Sequence, residues 1–314
     1  MEVSKYLAHF DELQLVSSSD ISRHYHAVEK GTDRKVAILI YMKNPRFKGR
    51  IFLQPPSIDF PGLATVYDIC EDDNFIAIPQ EIVGSGNLFN YLLPSPLLSE
   101  SKVAEIAQCM LKCLAYLHDI GIVVRNINMQ NILISDDSNY PFKLKDYILA
   151  KLLDTKNLTD ICNAETFPSP EFLRKLEYGP PTDIWSLGCI MYVLLCGKFP
   201  YFPDVERTME AFGQIQPDFE KGAWQEISPE ARSIVYRMIS INPADRPTAK
   251  QLLDEPWIQG KCSDIPITSA VQDLKTSIMA LRMRRSFGAA QSATSFRYFQ
   301  KFCEITTQYK THFY

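Results

Sequence analysis

Apolar and polar positions divide the chain into two parts with different periods. In the first part, runs rich in β-branched and aromatic residues at 36–41, 65–70 and 75–83 read as strands within a strand-bearing stretch from 13 to 93. Pro45, Pro55-Pro56 and Pro61-Gly62 punctuate that stretch. From Ser99 the period changes. Ser99 is a natural N-cap, and Val103, Ile106, Ala107, Met110, Leu111 and Leu114 recur at helical spacing behind it. Residues 184–196 are apolar nearly all round, the pattern of a helix buried on every side. Ser228-Pro229-Glu230 opens another helix, with Ser as cap and Pro at the first position. No internal repeat or low-complexity tract interrupts the pattern, so a small strand-rich part precedes a larger helical part, joined near 81–87.

Composition narrows the function classes without selecting one. The 314 residues suffice for one large domain or two lobes, and 46% apolar with 22% charged residues is ordinary for a globular chain. A net charge of −4 gives no reason to expect nucleic acid or an anionic membrane as partner. The eight cysteines form no CxxC pair. Cys109 and Cys113, one helical turn apart, read as small apolar residues on a buried helix face rather than as half of a zinc site. A reducing, cytoplasmic setting is therefore expected. The first ten residues hold no apolar run of the signal-peptide kind, and the longest apolar run, 189–196, is too short to span a bilayer.

The chemistry lies in a series of motifs. Tyr116-Leu117-His118 is followed by Val124-Arg125-Asn126-Ile127-Asn128-Met129-Gln130-Asn131-Ile132-Leu133, and Lys145-Asp146-Tyr147-Ile148 comes next. Ser169-Pro170-Glu171, Asp183-Ile184-Trp185-Ser186-Leu187-Gly188 and Asn242-Pro243-Ala244-Asp245-Arg246-Pro247-Thr248 complete the helical part. Upstream stand Val36-Ala37-Ile38-Leu39 and Gly84-Ser85-Gly86-Asn87-Leu88-Phe89. In order and spacing, from about 13 to 260, these resemble the catalytic loop, metal-binding DFG, APE, DxWSLG, closing arginine, VAIK and post-hinge motifs of the eukaryotic protein kinases. The post-hinge segment and Glu255-Pro256-Trp257 lean toward the calcium/calmodulin-dependent group. The resemblance implies an α+β bilobal fold over 1–260. A β-rich N-lobe is expected at about 10–83, a helical C-lobe at about 84–260, and a partly helical extension over 261–314.

Phosphoryl transfer depends on positioning and on neutralising charge spread over several oxygens. Against the family pattern, the residues for that chemistry have changed. Ser17, Ser19 and Ser22 occupy the three places of the glycine-rich loop, where a Cβ limits how closely a phosphate can approach. Leu39 stands at the β3 lysine. Lys35 and Lys43, each roughly 13 Å away along a strand, are no obvious substitutes. Residues 41–57 contain no acid to act as the lysine's partner, and three prolines in that stretch predict a shortened or irregular regulatory helix. Asn126 replaces the catalytic aspartate, and an amide cannot serve as that base. Asn128 replaces the phosphate-contacting lysine, Ala164 the activation-segment threonine, and Ile148 the DFG glycine. By resemblance, Asn131 and Asp146 remain as the two magnesium positions. Asp146 has the alternative of a buried acid held only by the backbone. Ala37, Glu81 and Leu133 remain around an adenine site. Arg125, Glu171, Asp183 and Arg246 remain as scaffold, Glu171 and Arg246 as a buried ion pair and Asp183 as a cap on the loop backbone.

The pattern implies a pseudokinase acting as a scaffold or allosteric regulator in signalling, with little or no phosphotransfer. It requires no cofactor, and any ATP/Mg binding is expected to be weak. The alternatives are an atypical or weakly active Ser/Thr kinase and a nucleotide-binding switch without transfer. The expected partner is a protein, an active kinase among the candidates. In the extension, Val271, Leu274, Ile278 and Leu281 form one apolar stripe followed by Arg282, Arg284 and Arg285. That stripe predicts a helix docked on the large lobe, with calmodulin binding through 270–286 as the second reading.

Overall fold

The computed structural model describes residues 2–18, 22–42, 58–84, 86–147, 151–152, 167–174, 176–201 and 217–291, with side chains absent from the description at 151–152 and 284–291. The stretch 43–57, where the irregular regulatory helix was expected, lies outside the described residues, as do Ser19, Ile148 and Ala164. The chain forms two compact units. One comprises residues 1–59, 64–82 and 285–314, and the other residues 60–63 and 83–284.

The small unit is a five-stranded antiparallel sheet in the order β1-β2-β3-β5-β4. Its strands are β1 (Phe10–Ser18), β2 (Ser22–Glu29), β3 (Arg34–Met42), β4 (Cys70–Glu71) and β5 (Phe75–Glu81). A short helix, α1 (Val3–Leu7), packs against it. Val3, Tyr6 and Leu7, spaced i, i+3, i+4, bury with Phe10, Ala27, Val36, Ile38, Ile40, Cys70 and Ala77. Two acids hold α1 in place: Val3 N donates to Asp72 (2.8 Å) and the Tyr6 hydroxyl to Asp68 (2.7 Å).

The strand expected at 65–70 is a correction. Only Cys70–Glu71 forms a regular strand there, preceded by an isolated bridge between Val66 and Gln80. The cause is Pro79. Tyr67 N donates to Pro79 O (2.9 Å), but Pro79 has no N–H to return, so the ladder breaks at that pair.

The large unit is built on α3 (Glu100–Asp119) and α5 (Pro181–Cys196). Before α3 come β6 (Gly86–Asn87) and α2 (Leu88–Leu92); between α3 and α5 run β7 (Ile122–Val123), β8 (Ile132–Ile134), β9 (Phe142–Leu144), β10 (Lys151–Leu152) and α4 (Pro170–Leu173); after α5 come α6 (Pro229–Met238), α7 (Ala249–Leu253) and α8 (Val271–Gln291), of which the residues to 284 belong to this unit. Ser99 and Ser228 cap α3 and α6, accepting from Lys102 N and Ala231 N. Every residue of α5 from Thr182 to Cys196 is buried, as the nearly all-round apolar character of 184–196 requires. Gly188 lets α6 approach closely, because a Cβ there would lie 2.7 Å from the Met238 Cβ.

Glu100, in the first turn of α3, is buried, a position where an unpaired carboxylate would be costly. It accepts from Ser228 N (2.7 Å), Ser228 Oγ (2.6 Å) and Trp257 Nε1 (2.6 Å), tying three segments together. The helical stripe of the extension is docked on this unit: Leu274, Ile278 and Leu281 are buried and Val271 is half-buried. Among the described residues no helix is long and apolar enough to cross a membrane.

Candidate functional site

The loop from β7 to β8 is held from below by an acid. Asp183 sits in the first turn of α5, where the helix dipole favours a negative charge, and is fully buried. Its carboxylate accepts from Val124 N (2.9 Å) and Arg125 N (2.6 Å), and His118 Nε2 lies 2.8 Å from it. Arg125 takes a left-handed backbone (φ 58°), and its guanidinium donates to the Tyr178 hydroxyl at 3.3 Å.

Three asparagines fill the loop and bond mainly to one another. Asn128 Nδ2 donates to Asn126 Oδ1 (2.9 Å) and to the Asn126 carbonyl (3.2 Å). Asn131 Nδ2 donates to the same carbonyl (3.0 Å), while Asn128 Oδ1 accepts from Gln130 N (2.9 Å) and Asn131 N (3.1 Å). All three asparagines are buried. The Asn126 amide oxygen is thus neutral and already accepts a bond from inside the loop.

The β8–β9 hairpin carries the next piece. Ile132 pairs with Leu144, and Lys145 N donates to Asn131 O (2.9 Å), which fixes Asp146 beside the asparagine loop. Asp146 is left-handed (φ 60°), a conformation uncommon outside glycine that re-aims the side chain. Its carboxylate is buried; Oδ2 lies 3.5 Å from Lys145 Nζ, and Oδ1 has no hydrogen-bond partner.

The small unit holds Ala37, Leu39 and Glu81. On β3, Val36, Ile38 and Ile40 enter the core beside α1, so the period of two puts Ala37 and Leu39 on the opposite face. Leu39 lies opposite His24 on β2 and Ile78 on β5 and is buried. The Glu81 carboxylate accepts from Thr65 N (3.0 Å). Leu133, in the large unit, is half-buried on β8 opposite Asn87 and Lys143.

Glu171 and Arg246 form a bidentate pair, Nη1 to Oε1 at 2.7 Å and Nη2 to Oε2 at 2.8 Å, both side chains buried. Thr182 Oγ1 donates to Glu171 Oε1 (2.9 Å), and Arg246 also reaches the carbonyls of Pro181 (3.0 Å) and Ser240 (2.8 Å). Burial pushes the Glu171 carboxyl up, but the hydrogen bonds and charge of Arg246 outweigh it and leave the group below its ordinary value. Cys109 and Cys113 are both buried, and burial raises both thiols, which suits packing rather than metal ligation.

Sequence reasoning missed His118, Tyr178 and Thr182 as partners of the scaffold residues. Nor does the sequence single out Lys145, whose position next to Asp146 in the chain does not show where its ammonium lies. Among the described residues no group of three or more His, Cys, Asp or Glu is arranged to hold a metal. The donor types at the loop nevertheless suit a hard divalent cation: the open Asp146 Oδ1 and the amide oxygen of Asn131 are the groups that would hold it. Such an ion would neutralise phosphate oxygens.

A five-stranded antiparallel sheet followed by a helical unit bearing this loop is the architecture of a protein kinase, with a β-sheet N-lobe and a helical C-lobe. The protein kinase domain profile matches residues 15–258, and the chain belongs to that family. It is 32% identical over 216 residues to calcium-dependent protein kinase 34 of Arabidopsis thaliana, covering 67% of this chain and 41% of the relative. It is 28% identical over 289 residues to human calcium/calmodulin-dependent protein kinase type IV, covering 86% and 60%. A probable myosin light chain kinase of Dictyostelium discoideum is 28% identical over 273 residues, covering 83% and 87%. The chain therefore spans 41% of the plant relative and 60% of the human one.

Proposed function

We propose that this kinase-family chain is a pseudokinase that works by binding another protein in a signalling assembly. The observation that carries the reading is the asparagine loop. Asn126 offers a neutral oxygen already bonded to Asn128, and loss of a positioned general base alone removes about 10²–10⁴-fold in rate. Leu39 supports it from the other unit, since leucine offers no charge to a phosphate. The experiment is a transfer assay with purified protein, labelled ATP and Mg²⁺ or Mn²⁺. The expected result is no incorporation into the chain itself or into generic protein substrates.

A second reading, a weakly active Ser/Thr kinase, is favoured by two observations. The relatives are named as protein kinases, and the open oxygen of Asp146 with Asn131 keeps a metal-binding donor set. Transfer by the unmodified chain that vanishes in Asp146→Ala establishes this reading and overturns the first. Nucleotide binding without transfer is a third state, recognised by thermal stabilisation with ATP. We further propose a cytoplasmic setting and an active kinase as the protein partner. One relative's name carries calmodulin, which supports testing 270–286 as a calmodulin segment; its apolar stripe must leave the large unit to bind, so the expected affinity is low.

A further inference from the structure

The asparagine loop is electrically simple. Asn126, Asn128 and Asn131 carry no charge, and the Arg125 guanidinium is directed to Tyr178. Asp183 is engaged with the loop backbone from below; among the described residues beside the asparagines stand the buried Asp146 and Lys145, whose Nζ lies 3.5 Å from Asp146 Oδ2 and whose side chain is only 13% exposed. A buried carboxylate needs a counter-charge, and here the preceding residue supplies it. A divalent ion arriving at Asp146 would meet an ammonium already in place. The carboxylate that would attract the ion is neutralised, and the lysine repels it at close range.

We infer that Lys145 is the resident cation of this loop, offsetting the Asp146 charge from its Oδ2 side, so that the chain binds a divalent ion at the open Oδ1 only weakly. The inference rests on reading the loop as a transfer site that has lost its chemistry. It is tested without any transfer reaction, so its failure and a positive transfer assay are separate results.

The test is a Mn²⁺ titration of the full chain without nucleotide, read by electron paramagnetic resonance. Lys145→Met is expected to bind Mn²⁺ at least about tenfold more tightly than the unmodified chain, the usual weight of one neighbouring charge. Lys145→Arg, which keeps the charge, is expected to bind as the unmodified chain does. Lys145→Met combined with Asp146→Asn is expected to lose the gain. Equal binding by the unmodified chain and Lys145→Met overturns the inference, as does an equal gain in Lys145→Arg. A second measurement keeps the lysine in place. In amine acylation read by mass spectrometry, Lys145 is expected to react more slowly than Lys221, whose side chain is 86% exposed, and to speed up in Asp146→Asn. A Lys145 rate equal to that of Lys221, or unchanged in Asp146→Asn, also overturns it.

Discussion

At Glu171 a carboxylate and a guanidinium meet with both oxygens and two nitrogens engaged, away from water. Such a pair is held by mutual need: removing one partner strands the other charge in a buried site. Arg246→Met is therefore expected to lower unfolding free energy by about 3–5 kcal/mol in urea titration, with the double change Glu171→Gln/Arg246→Met costing less than the sum of the single changes. The pair also sets an acid sensitivity. Glu171 is held below its ordinary value of 4.5, so its stabilisation is present above that pH and is lost as pH falls through the lowered folded value. Urea titrations between pH 6 and 3 should show a shallower loss in Glu171→Gln than in the unmodified chain. Motif spacing made this pair readable in the sequence, and the same spacing is the ground for the proposed roles of Leu39, Asn126 and Asn128. It said nothing of Lys145 on Asp146, because that contact depends on the left-handed backbone of Asp146 and on side-chain direction. Nor did it reveal Glu100, which looks like an ordinary first-turn acid until Ser228 and Trp257 arrive from far along the chain.

Among elements, helices with a clear stripe and cap were the most legible: α3, α5 and α6 lie where Ser99, the apolar run and Ser228-Pro229 placed them. The strand at 65–70 was not, because strand propensity is local while Pro79, which breaks its ladder, belongs to a different strand. Helix α1 was missed because three apolar residues in five are too short a pattern to announce a helix; the sheet and the two acids stabilise it. Besides its buried stripe, the docking of α8 depends on a residue at the end of α5. Gly197 is left-handed (φ 78°), its carbonyl accepts from Ser277 Oγ (2.6 Å), and a Cβ there would lie 2.5 Å from both Ala270 O and Leu274 N. Gly197→Ala combines backbone strain of about 1–2 kcal/mol with a backbone clash. It is expected to lower the melting temperature and to speed amide exchange across 271–283 more than elsewhere. Leu274→Ala should destabilise by about 2–5 kcal/mol with less selective exchange, since its burial lies in the large-unit core.

For the whole molecule, the losses proposed for this chain fall in both compact units, and on that reading their distribution decides whether activity can be restored. Leu39 belongs to the small unit and Asn126 to the large one. Leu39→Lys would place an ammonium at a buried position between His24 and Ile78, while the chain from 41 to 57 contains no acid to receive it. A lone buried charge costs several kcal/mol, so the substitution reads first as loss of stability rather than gain of function. Asn126→Asp is the milder change, because Asn128 Nδ2 already donates to the oxygen it replaces. The double variant is thus expected to melt below the unmodified chain, with most of the drop traceable to Leu39→Lys, and to show no robust transfer of phosphate. On the proposed reading the glycine-loop places would still be serine and the lysine would still lack an acidic partner, and groups that act as one catalytic unit do not contribute one at a time. Thermal melts beside a labelled-ATP assay on the two single variants and the double decide the matter. Strong transfer by the double variant at undiminished stability would mean that the rest of the machinery is intact and that only two residues separate this chain from an active kinase.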